Sequence, residues 1–529
     1  MSRWSRYWFG EGGQLGAAVI RIAIATSVLW TLAGLHVDGG PPSAYDPDGL
    51  MMLLGASMPP PWLIDALLAV AFASTAAMLL GLLSRASTAI SLFSALALAS
   101  YEVSFTPGWS HHNNAVFLAH LAFLFAWGGD ALSVDTWIRR WLGRPAPSLH
   151  RYQFSIRLVQ FAVALTFFNA AMIKLAQAHF TLDWALSDNL RNHLLVHYDL
   201  SGNPRTTVAN WLMQSPWRYQ TAALLNLISQ SLPFVALLVQ RRPWLRFACG
   251  AFFAIETLAF GLVMNLWNLH WLPLTAAFVD WDRLFGRAAS RSIRAEPMPC
   301  RQRRLLAVFV TAFVVYDLAV AFAYPRIDTV LKTYPFSAFP MFSRIRAERP
   351  YQFLGGRIAA DAPAEVLARI NRQRAYRFLH RTRDRDRLRA RLDVASRQIS
   401  RYAGQNIGRI GLHLVVFRAT SPPEPAALDE QPIALIAETS ADGEFRSFVG
   451  ATGRDRQGRY LQPGESSALP AGTRVLYFPD DGPTALELDG EWRGSRFYYG
   501  DVRGRTQAFA IETGGARWFV AREPHRGWW

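Results

Sequence analysis

Lysine is nearly missing from this chain. Of its 55 Lys and Arg residues in 529, two are lysine, Lys174 and Lys332, and every other cation is arginine. Arginine stays charged at any working pH, whereas an amine can release its proton, so the positions that keep lysine are candidates for proton chemistry. Cysteine is equally scarce, with Cys249 in an apolar run and Cys300 in an arginine-rich loop. Neither supports a disulfide in an exported part. The chain has no CxxC, HExxH or clustered Cys/His pattern, which argues against a structural zinc site, and no metal is expected. It has no recognisable nucleic-acid module, so the net charge of +16 reads as membrane topology and lipid contact, with no nucleic-acid partner. Internal inverted repeats are also missing, which counts against a transporter.

What is present is apolar sequence, unevenly spread. Hydrophobic residues make up 51% of the chain and aromatics 13%, and the first three-fifths is membrane-like. Apolar runs extend over Gln14 to Leu35, Trp62 to Leu83, Ser87 to Tyr101, Asn114 to Trp127, Ser155 to Ile173, Gln220 to Val239, Arg246 to Val263, Leu266 to Val279 and Leu305 to Ala323. A perpendicular helix needs about 20 residues to cross the hydrocarbon, and on that criterion about nine spans are expected. The first is not a removable signal peptide, since no small-residue cleavage site follows and more spans come at once.

Loop cations set the orientation. Arg3 and Arg6, Arg85, Arg139 to Arg151, Arg241 to Arg246 and Arg283 to Arg304 occupy alternate connections, while Asp46, Asp48, Glu102, Asp183 and Asp188 lie in the others. The alternation predicts a cytoplasmic N-terminus, with Lys174 and everything beyond Ala323 on the outer side, the periplasm of a bacterium. The expected locale is the bacterial inner membrane, with lipids as partners.

The composition changes after Ala323. Residues 324–402 read as an aromatic, Pro-containing loop followed by Arg-rich amphipathic helices, notably Arg387 to Ile399. Residues 403–529 read as a small β-rich periplasmic domain. Its strands are expected at Leu412 to Arg418, Pro432 to Glu438, Arg446 to Gly450, Arg474 to Phe478, Arg496 to Tyr499, Gln507 to Glu512 and Ala516 to Val520. The fold class is thus a mainly α polytopic membrane protein with a C-terminal α+β extramembrane portion.

Few groups in the membrane part carry chemistry. Lys174 ends an apolar run, either as a reactive amine or as a side chain snorkelling to the membrane surface. Trp109-Ser-His-His-Asn-Asn114 brings His111, His112 and Asn113 to the start of a span on the same side. Either these groups hold an anion or they cap the helix. Arg21 is costly inside a span unless paired, and Glu256 is a possible partner. Asn265, Asn268 and His270 form a second polar cluster, and His179, His193 and His197 flank the lysine loop.

These residues resemble the vitamin K-dependent gamma-glutamyl carboxylases and their bacterial relatives that share the HTTM membrane domain. The similarity runs from about Arg21 to about Arg344 and assigns residues 1–323 to an HTTM-like transmembrane domain. Arg21 resembles the Arg of the family's first span, and Gly81-Leu-Leu-Ser-Arg85 its Gly-x-x-x-Arg turn. Trp109-Ser-His-His-Asn resembles Trp-Asn-Asn-His, which sets His112 in the place of the catalytic histidine. Ala131-Leu-Ser-Val-Asp135 is similar to Trp-Ser-Val-Asp, and Ala170-Ala-Met-Ile-Lys-Leu175 to Ala-Gly-x-x-Lys-Leu, which lays Lys174 on the family's base. Phe336-Ser-Ala-Phe-Pro-Met341 resembles a Phe/Tyr-Ser-Trp-x-Met motif. The family's Trp follows Lys-Leu closely, whereas here Asp183-Trp184 comes several residues later.

The resemblance implies a lyase-type membrane enzyme. A neutral lysine deprotonates vitamin K hydroquinone or another reduced quinone, oxygen adds, and the resulting base removes a proton from a glutamate gamma carbon that captures CO2. Lys174 and His112 would be catalytic. Quinol or substrate contacts would come from His111, Asn113, Arg21, Trp109, Asn268, Phe336, Ser337 and Met341. A secreted peptide or protein would be the substrate. The competing reading is a non-enzymatic membrane accessory for maturation, export or binding of a secreted peptide or lipid.

Overall fold

The computed structural model describes residues 3–521 apart from 36, 38–44, 46, 54–56, 106–110, 145–150, 202–203, 286–297, 324–333, 337–351, 368–384, 406, 420–427, 441–442, 464–472, 480–485, 501–505 and 514–515. Two units emerge: Met1–Gly40, Tyr45–Ala185 and Thr221–Ile345 in one, and Pro41–Ala44, Leu186–Gln220 and Arg346–Trp529 in the other.

The first unit is helical. Its helices are α1 (Arg3–Phe9), α2 (Gln14–Gly34), α3 (Leu50–Leu53), α4 (Pro61–Leu80), α5 (Ser84–Ser104), α6 (Asn114–Phe123), α7 (Val134–Trp141) and α8 (Gln153–Gln177). After α9 (Asn189–Ser201) and α10 (Thr207–Met213), which belong to the second unit, come α11 (Pro216–Leu238), α12 (Pro243–Met264), α13 (Trp281–Phe285) and α14 (Cys300–Ala323). Among the described residues, seven of these helices are long and apolar enough to cross a membrane: α2, α4, α5, α8, α11, α12 and α14. They make the chain a multi-pass membrane protein. The 18-residue apolar core of α4 is 22% buried against 83% for that of α8. A helix apolar all round with most of its surface uncovered belongs in lipid, and α8 is the central one.

Two of the nine expected spans are too short. Asn114 to Trp127 contains α6, ten residues and about 15 Å long. Leu266 to Val279 contains a 3-10 helix, Leu269–Phe278, interrupted by Pro273. Neither matches a hydrocarbon core of about 30 Å. Both are nonetheless packed inside, with His120, Trp271 and Phe278 buried, so their apolar character reflects a protein interior rather than lipid.

Distant residues build several helix ends. The α2 N-terminus has no cap of its own, and the Asp282 carboxylate accepts from the backbone N–H groups of Leu15 (3.1 Å) and Gly16 (2.9 Å). Asp135 accepts from the N–H groups of Leu83 (2.8 Å) and Ser84 (2.7 Å) at the start of α5. Gly81 ends α4 at φ +69°, and a Cβ there would lie 2.5 Å from Nη1 of Arg21 and 2.3 Å from Cβ of Ser133. Only glycine fits that corner.

The second unit is strand-rich. One eight-stranded sheet runs β1 (Gln352–Ala360), β2 (Ile410–Ala419), β3 (Leu428–Thr439), β12 (Ala516–Ala521), β11 (Thr506–Thr513), β7 (Arg474–Pro479) and β8 (Leu486–Glu487), with β4 (Phe445–Ser447) also on β3. The contact of β12 with β3 is parallel and the other pairings are antiparallel. A four-stranded sheet joins β5 (Ala451–Asp455), β6 (Gly458–Gln462), β10 (Arg496–Tyr499) and β9 (Gly490–Arg493). Helix α15 (Arg385–Ala403) places Leu388, Leu392, Ala395 and Ile399 at helical spacing against Ile358, Leu412, Leu414 and Ile436.

His413 lies on β2 between Leu412 and Leu414. Burial and the Arg409 charge hold its imidazole below the ordinary value, with Glu438 opposing. The folded state keeps the ring neutral where the unfolded chain takes up a proton near pH 6.5, so this group's contribution is present above that pH and lost below it. Exchange protection of β2 and β3 amides, corrected for intrinsic rate, should fall between about pH 7 and pH 5, and His413→Gln should flatten that dependence.

Candidate functional site

The Lys174 side chain is 1% exposed, enclosed by the chain itself rather than extended from it. It projects from the last turns of α8 and donates to Oδ1 of Asn226 (2.6 Å) and Oε1 of Gln230 (2.9 Å). The indole of Trp184 lies over Nζ, with its ring centroid 4.4 Å away. Trp184, also 1% exposed, is carried by the irregular segment after α8, where His179 and Phe180 adopt positive φ.

Asn226, Ser229 and Gln230 share one face of α11, since residues three and four apart on a helix are neighbours. Pro233, inside α11, cannot donate to the Ser229 carbonyl. Across from this face stands Glu256 of α12, 3% exposed. Its carboxylate accepts from Nδ2 of Asn226, from Nε2 of Gln230 (3.1 Å) and from the Ser229 hydroxyl (2.5 Å). The amine and the carboxylate therefore interact through two amides, each turning its oxygen to Lys174 and its nitrogen to Glu256. Burying an isolated charge is prohibitive, and this bridge supplies the compensation at one remove.

Glu256 is thus not the partner of Arg21. Arg21, 0% exposed, donates through Nη1 to the carbonyls of Gly128 (2.7 Å) and Ala131 (3.4 Å), and through Nη2 to those of Leu132 (2.6 Å) and Leu79 (3.4 Å). Its fork ties α2, the α4 terminus and the 128–132 turn together. The Gly81 to Arg85 and Ala131 to Asp135 stretches meet at this same corner, where the Asp135 N–H donates to the Gly81 carbonyl (3.0 Å).

His112 stands in a short 3-10 turn ahead of α6. Its carbonyl accepts from Nε2 of His270 (2.8 Å) and Nε1 of Trp271 (2.5 Å), and its ring meets that of His270 edge-on at 6.2 Å. Trp271 packs against Phe167 of α8 (5.7 Å) and Phe253 of α12 (6.1 Å), and Phe167 against Phe260 (6.0 Å). Phe167 is two turns before Lys174, and Phe253 and Phe260 flank Glu256 on its helix face. The two candidate catalytic residues are linked by this aromatic cluster, and His112 is not among the hydrogen-bond partners of the Lys174 amine in the described residues.

No family model, curated protein or solved structure matches the chain. Asn113 is buried beside His112, and Asn268 begins the 3-10 helix, its carbonyl accepting from Trp271 N–H (2.9 Å). Phe336 packs between Phe313 (5.7 Å) and Tyr316 (4.6 Å) of α14. Trp109, Ser337, Met341 and the His111 side chain lie outside the described residues. The sequence reading did not single out Asn226, Ser229 and Gln230, although three polar residues at helical spacing inside an apolar run were the available signal.

Proposed function

We propose that the chain is an integral membrane enzyme resembling the vitamin K-dependent gamma-glutamyl carboxylases, in which the Lys174 amine takes a proton from a bound hydroquinone-like lipid. The observation that carries this reading is an amine sealed inside the helical core, one amide away from a buried carboxylate that can balance the charge it takes up, with an indole against its remaining face. A base must lie within hydrogen-bond reach of the proton it removes, in a setting where water does not compete. A flat ring bearing an acidic hydroxyl would have to take the face of Nζ that the Trp184 indole now covers. In the proton transfer Nζ gains a proton and the hydroxyl loses one. Asn226 and Gln230 keep the amine oriented, and Glu256 balances the ammonium so formed. When bound, the reduced quinone would supply, with oxygen, the stronger base that the resemblance links to glutamate deprotonation and CO2 capture. His112 is assigned an assisting role on the resemblance.

With seven spans, Arg3, Arg6, Arg85 and the Arg283 to Arg304 connection fall on one side, which supports a bacterial inner-membrane location with a cytoplasmic N-terminus, the strand-rich unit in the periplasm and a secreted peptide as the substrate, while Arg139 to Arg151, Arg241 and Arg242 change sides relative to the nine-span reading. A second reading is a non-enzymatic accessory. It draws on the bridge itself, because Lys174 and Glu256 find their partners within the chain, as a structural strut would. Purified protein incubated with reduced quinone, oxygen and labelled bicarbonate separates the two. Quinone epoxide and label in a peptide are expected, and neither product with any quinol tested leaves the accessory.

A further inference from the structure

We propose that Glu256 is the positioning residue of this site, acting through Asn226 and Gln230 to dictate how the Lys174 amine is presented. The inference rests on the reading of Lys174 as the reactive group. A side-chain amide is nearly symmetric in shape, with an acceptor oxygen at one end and a donor nitrogen at the other, so packing alone does not decide which end meets Nζ. Glu256 supplies that decision. Oε1 accepts hydrogen bonds from both Nδ2 of Asn226 and Nε2 of Gln230, so each amide must point its nitrogen at it. Both oxygens are thereby turned to α8, and the amine becomes a donor to each, at 2.6 and 2.9 Å. With two positions of Nζ committed, the third is directed at the Trp184 face, 4.4 Å away. Ser229 reaches the other carboxylate oxygen, Oε2, and takes no part in the bridge to Lys174.

The scarcity of lysine makes a direct test available. Full-length protein in detergent is treated with a small amine-reactive reagent, acetic anhydride, and acetylation of Lys174 is quantified by peptide mass spectrometry with Lys332 as internal reference. Glu256→Gln keeps the size but adds a donor, so either amide can reverse and release the amine. Lys174 should then label at least about tenfold faster than in the wild type, the scale of one lost charge-assisted hydrogen bond. Ser229→Ala should change the rate by less than about twofold, since it leaves both amide bridges in place. The proposal is overturned if Glu256→Gln labels within twofold of the wild type, or if Ser229→Ala matches it. Should Glu256→Gln not accumulate as folded protein, Gln230→Met carries the test: removing one of the two acceptors should raise the rate, and no change overturns the proposal. Quinol turnover measured in parallel keeps the two ideas apart. Altered labelling in a protein without turnover removes the reaction and leaves the positioning, whereas unaltered labelling with wild-type turnover intact removes the positioning alone.

Discussion

Lys174→Arg is expected to abolish quinol-dependent turnover while leaving the protein folded, and Lys174→Met to destabilise it. Arginine can donate to both Asn226 and Gln230, so the amide bridge to Glu256 stays satisfied, but a guanidinium does not accept a proton at working pH. Loss of a positioned base costs roughly 10²–10⁴ in rate. Methionine removes the donor to both Asn226 and Gln230 and leaves their oxygens unsatisfied in the helical core, a loss of about 1–3 kcal/mol each. Pairing Lys174→Met with Glu256→Gln also relaxes the group that holds both amide nitrogens, so the amides can turn to new partners, and it should restore part of that loss. Thermal unfolding of the four proteins in detergent, analysed as a double-mutant cycle, measures the coupling. Additive effects would mean that the two groups are not coupled through the amides. Turnover surviving in Lys174→Arg would mean that the amine is not the base.

Arg21→Met should be comparably severe for folding, for a different reason. The guanidinium gathers carbonyls from two separate chain segments, the α4 terminus and the 128–132 turn, and its two short hydrogen bonds, to Gly128 and Leu132, end on buried or partly buried oxygens. Leaving a buried acceptor unsatisfied costs about 1–3 kcal/mol each, so the two together amount to several kcal/mol. Arg21→Lys should fall between, since one ammonium cannot span the separation that Nη1 and Nη2 cover in a planar fork. Chemical denaturation in detergent, followed by tryptophan fluorescence, reads both variants. A change below about 1 kcal/mol for Arg21→Met would show that water or relaxation satisfies the corner.

Legibility from sequence varied with how local the cause was. All seven strands expected between Leu412 and Val520 have counterparts, because alternation and bounding Gly, Pro and Asp residues are properties of the segment itself. Strand β1 escaped notice because Gly355 and Gly356 interrupt its pattern, and β5 and β6 because their strands are too polar to announce a buried face. Helix α5 begins at Ser84 rather than Ser87 because its cap, Asp135, comes from a segment 51 residues away. The two short spans misled for a related reason: hydropathy reports that a segment leaves water without saying whether it enters lipid or protein.

The amino-acid sequence by itself determined where the membrane helices and most strands lie, and that Lys174, Glu256 and Arg21 are charges in apolar surroundings. These are sums over neighbouring residues, since burial free energy accrues residue by residue. Only the tertiary structure decided which groups answer those charges. Lys174 meets Asn226 and Gln230 across 52 and 56 residues, and Arg21 takes carbonyls 58 to 111 residues away. A hydrogen bond is short and directional, so its partner is set by how helices pack, and no local pattern encodes that.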